Sequence, residues 1–520
     1  MDKRHPKTPC SFEFRTGIPS RKLCSSLVLC KEFMYNGIIW AKAFQERTDG
    51  KMAEKKTTKN TEKKEKKAKN AWLKYNEKQK KAIFDYCEGY KNFISDCKTE
   101  RECVSEVIRQ AEAMGYKDLY TCKKLKAGDK VYVNNMDKNV LLFLIGKEPL
   151  ENGMKLLGAH IDSPRLDLKQ NPLYEDSDLA LLETHYYGGV KKYQWVTIPL
   201  AIHGVVVKKD GTKINVVIGE DENDPVVGIS DLLIHLAADQ LDKKAARVIE
   251  GEDLNVLFGS IPLEKEEKEA VKANILKLLK EKYDFEEEDF TSAELEVVTA
   301  GKARDYGLDR SMVMGYGHDD RICAYTSMTA LFEMKETDRT AGCILVDKEE
   351  IGSVGATGMS SVFFENAVAE LMDRMGQYSE LGLRRALQNS HMLSSDVSAA
   401  YDPNFPSVME RKNCAYFGKG IVFNKYTGAR GKSGCNDANP EYIAKLRNAF
   451  DKHNVSYQFA ELGKVDQGGG GTIAYIMAKF NMQVIDSGVA LHNMHAPWEV
   501  ASKVDIVETK NGYLAFLKEI

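Results

Sequence analysis

Several histidines and acids in this sequence are spaced as if to share one task. They are His160-Ile-Asp162, the adjacent acids of Asp347-Lys-Glu349-Glu350, the run His318-Asp319-Asp320, Asp396 after Ser394-Ser395, and His495 in Leu491-His-Asn-Met-His-Ala-Pro-Trp-Glu499. Imidazole and carboxylate without thiolate form a donor set suited to a divalent ion such as zinc, with cobalt or manganese as alternatives. Two residues apart on a strand, His160 and Asp162 would lie on one side, so the carboxylate could hold one ring nitrogen and leave the other for a metal. Glu349 and Glu350 diverge, which lets one bind a cation while the other takes a proton from an activated water. Each group also has a simpler reading: a structural His–Asp hydrogen bond, a solvated acid pair, or a helix N-cap at one of Asp319 and Asp320. Their joint occurrence favours a single centre.

The elements that must position these residues are legible in the apolar pattern. Runs at 140–145, 155–160, 340–346, 392–395 and 483–486 read as buried strands. The second ends on His160, the third just before Glu349 and Glu350, and the fourth just before Asp396. In an open α/β sheet, ligands bind beyond the carboxyl ends of the strands. Helical spacing over 70–115 and a closing amphipathic helix over 501–520 supply covering layers. Between 187 and 304 the pattern changes to β-rich segments at 198–207 and 213–218 with Asp-Gly and Asp-Pro turns. Helical patterns follow at 231–241 and 265–282.

Composition narrows the class. At roughly 150 residues per domain, 520 residues suggest two or three domains. Lys and Arg number 74 against 77 Asp and Glu, which gives no electrostatic case for nucleic acid as a partner. No run of about eighteen apolar residues offers a membrane span. The eleven cysteines form no Cys-x-x-Cys pair, which suggests free thiols in a reducing, cytoplasmic setting. Residues 1–70 stand apart: a basic stretch, then Met52 followed by a Lys-rich tract. The expectation is a non-native or disordered extension, with Met52 beginning the functional chain.

From about Ala71 to Ile520 the sequence resembles the aspartyl aminopeptidase and vacuolar aminopeptidase I family of dinuclear zinc exopeptidases, in its bacterial branch. The resemblance rests on Gly158-Ala-His-Ile-Asp-Ser-Pro-Arg165, Asp347-Lys-Glu-Glu-Ile-Gly-Ser353 and Asn493-Met-His-Ala-Pro-Trp-Glu499. It implies that His160, Asp319, Glu350, Asp396 and His495 bind two metal ions, with Asp319 bridging them. Asp162 would orient His160, and Glu349 would be the general base. It also implies an α/β metallopeptidase domain with a mixed central sheet flanked by helices, at 71–186 and 305–520. An inserted β-rich dimerisation domain at 187–304 would interrupt it. Peptides would be the substrates, and dimers would assemble into a tetrahedral dodecamer. In the family a histidine of the inserted domain reaches the neighbouring subunit's active site. The matching segment offers Asp231 and His235, and only His235 can donate a hydrogen bond at neutral pH.

One stretch departs from the family. Where the animal aspartyl enzymes carry two histidines after the matched aspartate, this chain has Ala399 and Asp402. Asp402 beside the pocket would repel an acidic substrate side chain. Lys425, Arg430 and Lys432 would attract one if they line it, and are otherwise surface charges. Gly468-Gly-Gly-Gly-Thr472 lacks the Lys-Ser or Lys-Thr of a phosphate loop. It matches a family segment near the site, so Gly471 and Thr472 join the candidate substrate contacts. The competing readings are another amide hydrolase on the same centre, as in deacylases or carboxypeptidases, and an inactive assembly scaffold.

Overall fold

The computed structural model describes residues 69–520. The expectation for residues 1–70 therefore falls, save its last two positions, outside the described residues. Helices Glu77–Asp96 and Glu100–Ala113 open the described chain. Each starts on a capping box, Asn76 with Gln79 and Thr99 with Glu102, whose side chains satisfy backbone donors that the first turn leaves free.

A nine-stranded mixed sheet forms the centre. At its middle, Ala341–Val346, Lys155–His160, His391–Ser395 and Gln483–Gly488 run parallel, and antiparallel neighbours flank them. Both faces are covered, which is why these strands read as near-continuous apolar runs. Along the neighbouring strand Asn139–Leu144, Val140, Leu142 and Leu144 enter a core shared with the two opening helices, His318–Phe332 and Lys503–Glu519. Leu141 and Phe143 enter the opposite core with Phe363–Arg374 and Glu380–Gln388. The two-residue period of a strand thus assigns each side chain to its layer. Val346 stands level with His160, and Ser394 with Gly158. The ends that carry Glu349, His160 and Asp396 therefore open at one edge.

A second, six-stranded antiparallel sheet is ordered Lys213–Ile218, Leu200–Val207, Ala293–Thr299, Arg165–Asp176, Leu179–Tyr187 and Val256–Gly259. It begins at Arg165, a whole hairpin upstream of position 187, where the sequence pattern turns β-rich. Two features hid that hairpin. Its turn is Ser177-Asp178, both at positive φ, not the usual Asn-Gly or Asp-Gly pair. A register shift between Leu168 and Leu173 also breaks the alternation. Helix Ala270–Tyr283 packs on this sheet through Val271, Ile275 and Leu279, spaced four apart along one face. The helix expected over 231–241 is two short pieces instead, Ile234–Leu236 and Ala238–Leu241. A third, five-stranded sheet joins Met312–Gly315 to Glu499–Ser502 and Ala490–His492. No helix among the described residues is long and apolar enough to cross a membrane.

Candidate metal centre

The strand Lys155–His160 delivers His160, and the chain turns so that Asp162 meets it. The His160 Nδ1 lies 3.2 Å from an Asp162 carboxylate oxygen and 3.0 Å from the Asp162 carbonyl. With Nδ1 as donor, Nε2 keeps its lone pair and points at Asp319 Oδ1, 3.2 Å away. On the other side of Asp319, His495 Nε2 lies 3.2 Å from Oδ2 and 3.5 Å from Glu350 Oε1. The two oxygens of one carboxylate thus face two imidazoles. Two ligands at 2.0–2.1 Å from one tetrahedral ion are themselves about 3.3 Å apart. The observed separations suit an ion on each side of Asp319.

The surrounding groups fit that reading. Ligand atoms of His160, Asp319 and Asp396 lie within 4.8 Å of one another, and so do those of Asp319, Glu350 and His495. Asp319 Oδ1 and Glu350 Oε1 are buried without a hydrogen-bond partner. Burial pushes Glu350 and Asp396 well above the ordinary carboxylate range, and neighbouring acids add to it. Burial likewise raises Glu349 to about 7 and Glu499 to about 8. Asp319 is held low: burial opposes this, but His160 and His495 prevail. So many buried carboxylates converging on few donors form a pocket for cations. A second acidic group, Glu100 with Glu294 and Glu296, already has two cations among it: Lys138 pairs with Glu100 and Glu294, and Arg165 with Glu100 and Glu296.

The centre is held from beneath. Glu499 accepts from the Asp319 amide at 3.1 Å and the His495 amide at 2.8 Å. Ser163 donates to the Asp319 carbonyl at 2.6 Å. Asp162 accepts from the amides of Glu349 and Glu350 at 3.1 and 3.0 Å, which fixes the short turn Glu349–Ile351. Glu349 Oε2 sits 4.0 Å from His160 Nε2. The N-cap reading of the aspartates fails. Gly317 occupies the cap position, no side chain bonds there, and Asp319 and Asp320 have non-helical dihedrals. Sequence reasoning missed Glu499 as a site residue, although its motif was singled out. The lone Glu after Pro-Trp was the available signal.

A cavity of about 890 Å³ opens over the cluster. His160, Asp319, Glu349, Glu350, Asp396 and His495 all line it, as do Gly471 and Thr472. Asp402, Lys425 and Lys432 are not among its lining residues. Asp402 turns back to accept from the Asn404 amide at 2.8 Å. Lys425 and Lys432 share Asp437, at 3.3 and 3.0 Å, so their charge is spent locally. Arg430 is likewise absent from the lining. His235 lies on the exposed turn Ile234–Leu236 and is not among the cavity's lining residues.

An α/β sheet with imidazoles and carboxylates gathered at its strand ends, under a substrate-sized cavity, defines a metal-dependent hydrolase. Comparison with known proteins gives the particular family. Residues 93–517 match the family described as aminopeptidase I zinc metalloprotease (M18). A Clostridium acetobutylicum relative named Probable M18 family aminopeptidase 1 is 70% identical over 454 residues, covering 86% of this chain and 98% of its own. The crystal structure of aminopeptidase I from Clostridium acetobutylicum superposes with a TM-score of 0.82 at 68% identity, over 87% of this chain and 99% of that one. The structure of an M18 aminopeptidase from Thermotoga maritima gives 0.85 at 44% identity, over 87% and 100%. The chain belongs to the M18 family and is a metal-dependent aminopeptidase of the zinc metalloprotease class.

Proposed function

We propose that the enzyme removes N-terminal residues from peptides at a centre of two divalent ions, with Glu349 as general base. The observation that carries this is Asp319, whose two oxygens each face a different imidazole with Glu349 alongside. His160 and Asp396 would hold one ion, Glu350 and His495 the other, and Asp319 both. Two ions held there would lower the pKa of a water and polarise the scissile carbonyl. Glu349 takes the water's proton and returns it to the leaving amine. Asp162 keeps His160 in one tautomer and holds the Glu349 turn in place. A carboxylate of the cluster holds the free α-amino group, which confines cleavage to the first peptide bond. Chelation is expected to abolish hydrolysis of an aminoacyl-anilide panel, and zinc, cobalt or manganese to restore it. Activity that survives full chelation would sink the reading.

The same proposal includes self-association in a reducing, cytoplasmic compartment, consistent with eight free cysteines among the described residues. Leu232, Leu233, Ile234, Leu236 and Leu241 are each more than half exposed, a contiguous apolar run that suits a second copy of the chain. In a dimer-built dodecamer His235, within that run, would reach a neighbour's cavity and donate to the developing oxyanion. A donor of that kind is worth about 2.7–4 kcal/mol. Mixing His235→Ala with Glu349→Gln subunits is then expected to restore part of the activity. A fully active His235→Ala enzyme, or a dead mixture with proven subunit exchange, would rule out a shared site.

A further inference from the structure

The strand Leu179–Tyr187 ends beside the centre. The Tyr187 hydroxyl donates to Asp162 Oδ2 at 2.9 Å. Two residues on, the Gly189 carbonyl accepts from His495 Nδ1 at 2.9 Å. One short segment at the end of this strand therefore touches both imidazole systems, His160 through Asp162 and His495 directly. We infer that Tyr187 is a positioning residue for the metal centre, acting through Asp162 to fix His160 and the Glu349–Glu350 turn. This rests on the metal-centre reading above.

The chemistry follows from counting donors. An ionised carboxylate has about four acceptor sites. On Asp162 they are used by the amides of Glu349 and Glu350, the His160 ring and Tyr187. Without the hydroxyl, Oδ2 keeps only the Glu350 amide and the carboxylate is held by three donors instead of four. His160 and the turn would loosen together. The Tyr187 ring is itself fixed, since the Arg165 guanidinium lies 3.9 Å from its centroid. Arg165 in turn is paired with Glu100, Asp167 and Glu296 at 2.7, 2.8 and 3.1 Å. Burial, with Asp162 alongside, holds the phenol well above its ordinary pKa, so it stays a donor. The segment has to be this close. Gly188 sits at φ +72°, and a Cβ there would stand 3.3 Å from the Glu350 side chain.

Tyr187→Phe keeps the ring and its cation contact and removes only the hydroxyl. Zinc affinity, measured by chelator competition on the full-length protein, is expected to fall by about 10-fold or more, the usual scale for losing a partner of a ligand's partner. The value of kcat should fall on the same scale, with KM and the melting temperature of the metal-free protein near wild type. A purely architectural role would do the opposite, lowering the melting temperature and sparing zinc affinity. In an Asp162→Asn background the same change should add little, because the hydroxyl acts through that carboxylate. Wild-type zinc affinity in Tyr187→Phe, or full additivity with Asp162→Asn, would overturn the inference. Zinc affinity is read without substrate, so an enzyme that failed to cleave peptides would leave this result standing on its own. A wild-type chain that bound no zinc would sink both.

Discussion

Glu349→Gln is expected to lower kcat by about 10²–10⁴-fold, the scale of a lost general base, while metal content stays at the wild-type level. Glutamine occupies the same volume, and the amide at position 349 that donates to Asp162 at 3.1 Å is backbone and unchanged. What disappears is an acceptor able to take up a proton and release it. The loss should therefore fall on kcat and leave KM nearly alone. A second readout separates chemistry from damage. Glu349 adds to the repulsion that, after burial, pushes Asp396 upward. A neutral side chain relieves that repulsion, so the metal-free variant should melt no lower than wild type. A variant with near-normal kcat would remove Glu349 from the mechanism.

His160, Glu350 and Asp396 could be picked out in the sequence because each sits where an apolar run stops. Lys155–His160 matches the expected strand at both ends, and Ala341–Val346 and His391–Ser395 differ from theirs by one residue. A strand buried on both faces must be apolar throughout, so a sudden His or Asp marks its carboxyl end. That logic is local. It cannot say which chain segment pairs with which, and the hairpin Arg165–Tyr187, which joins the second sheet, was not read from the sequence for that reason. Its exposed middle, Gln170-Asn171, gave no apolar run to read.

The residues hardest to read were those whose surroundings depend on partners that the local pattern does not reveal. Lys425 and Lys432 look like free cations until Asp437 is seen between them. Glu499 and Tyr187 look ordinary until their contacts, Asp319 at 180 positions away and Asp162 at 25, are known. Asp402 follows a different rule. In Asp402-Pro-Asn404 the Asp accepts from the amide two residues on, the common use of Asp in a turn, which the local sequence does signal.

Asp319→Ala should have the broadest effect on the metals of any single ligand change. Its carboxylate is the only group with oxygens 3.2 Å from both imidazoles among the described residues, so removing it takes a ligand from each ion. The backbone there does not depend on the side chain. The amide donates to Glu499 and the carbonyl accepts from Ser163, and both bonds survive in alanine. The fold should hold while the centre empties. Metal analysis after gel filtration is expected to show less than one ion per chain, with hydrolysis lost. Glu350→Ala and Asp396→Ala should each weaken one position and leave the other filled, because each belongs to only one donor set. The contrast between one variant that loses both ions and two that lose one each would locate the bridge at Asp319. Full occupancy in Asp319→Ala would instead move it to Asp320, whose buried oxygens have no hydrogen-bond partner. It would also undo the assignment of His160 and His495 to separate ions, since that division rests on the carboxylate between them.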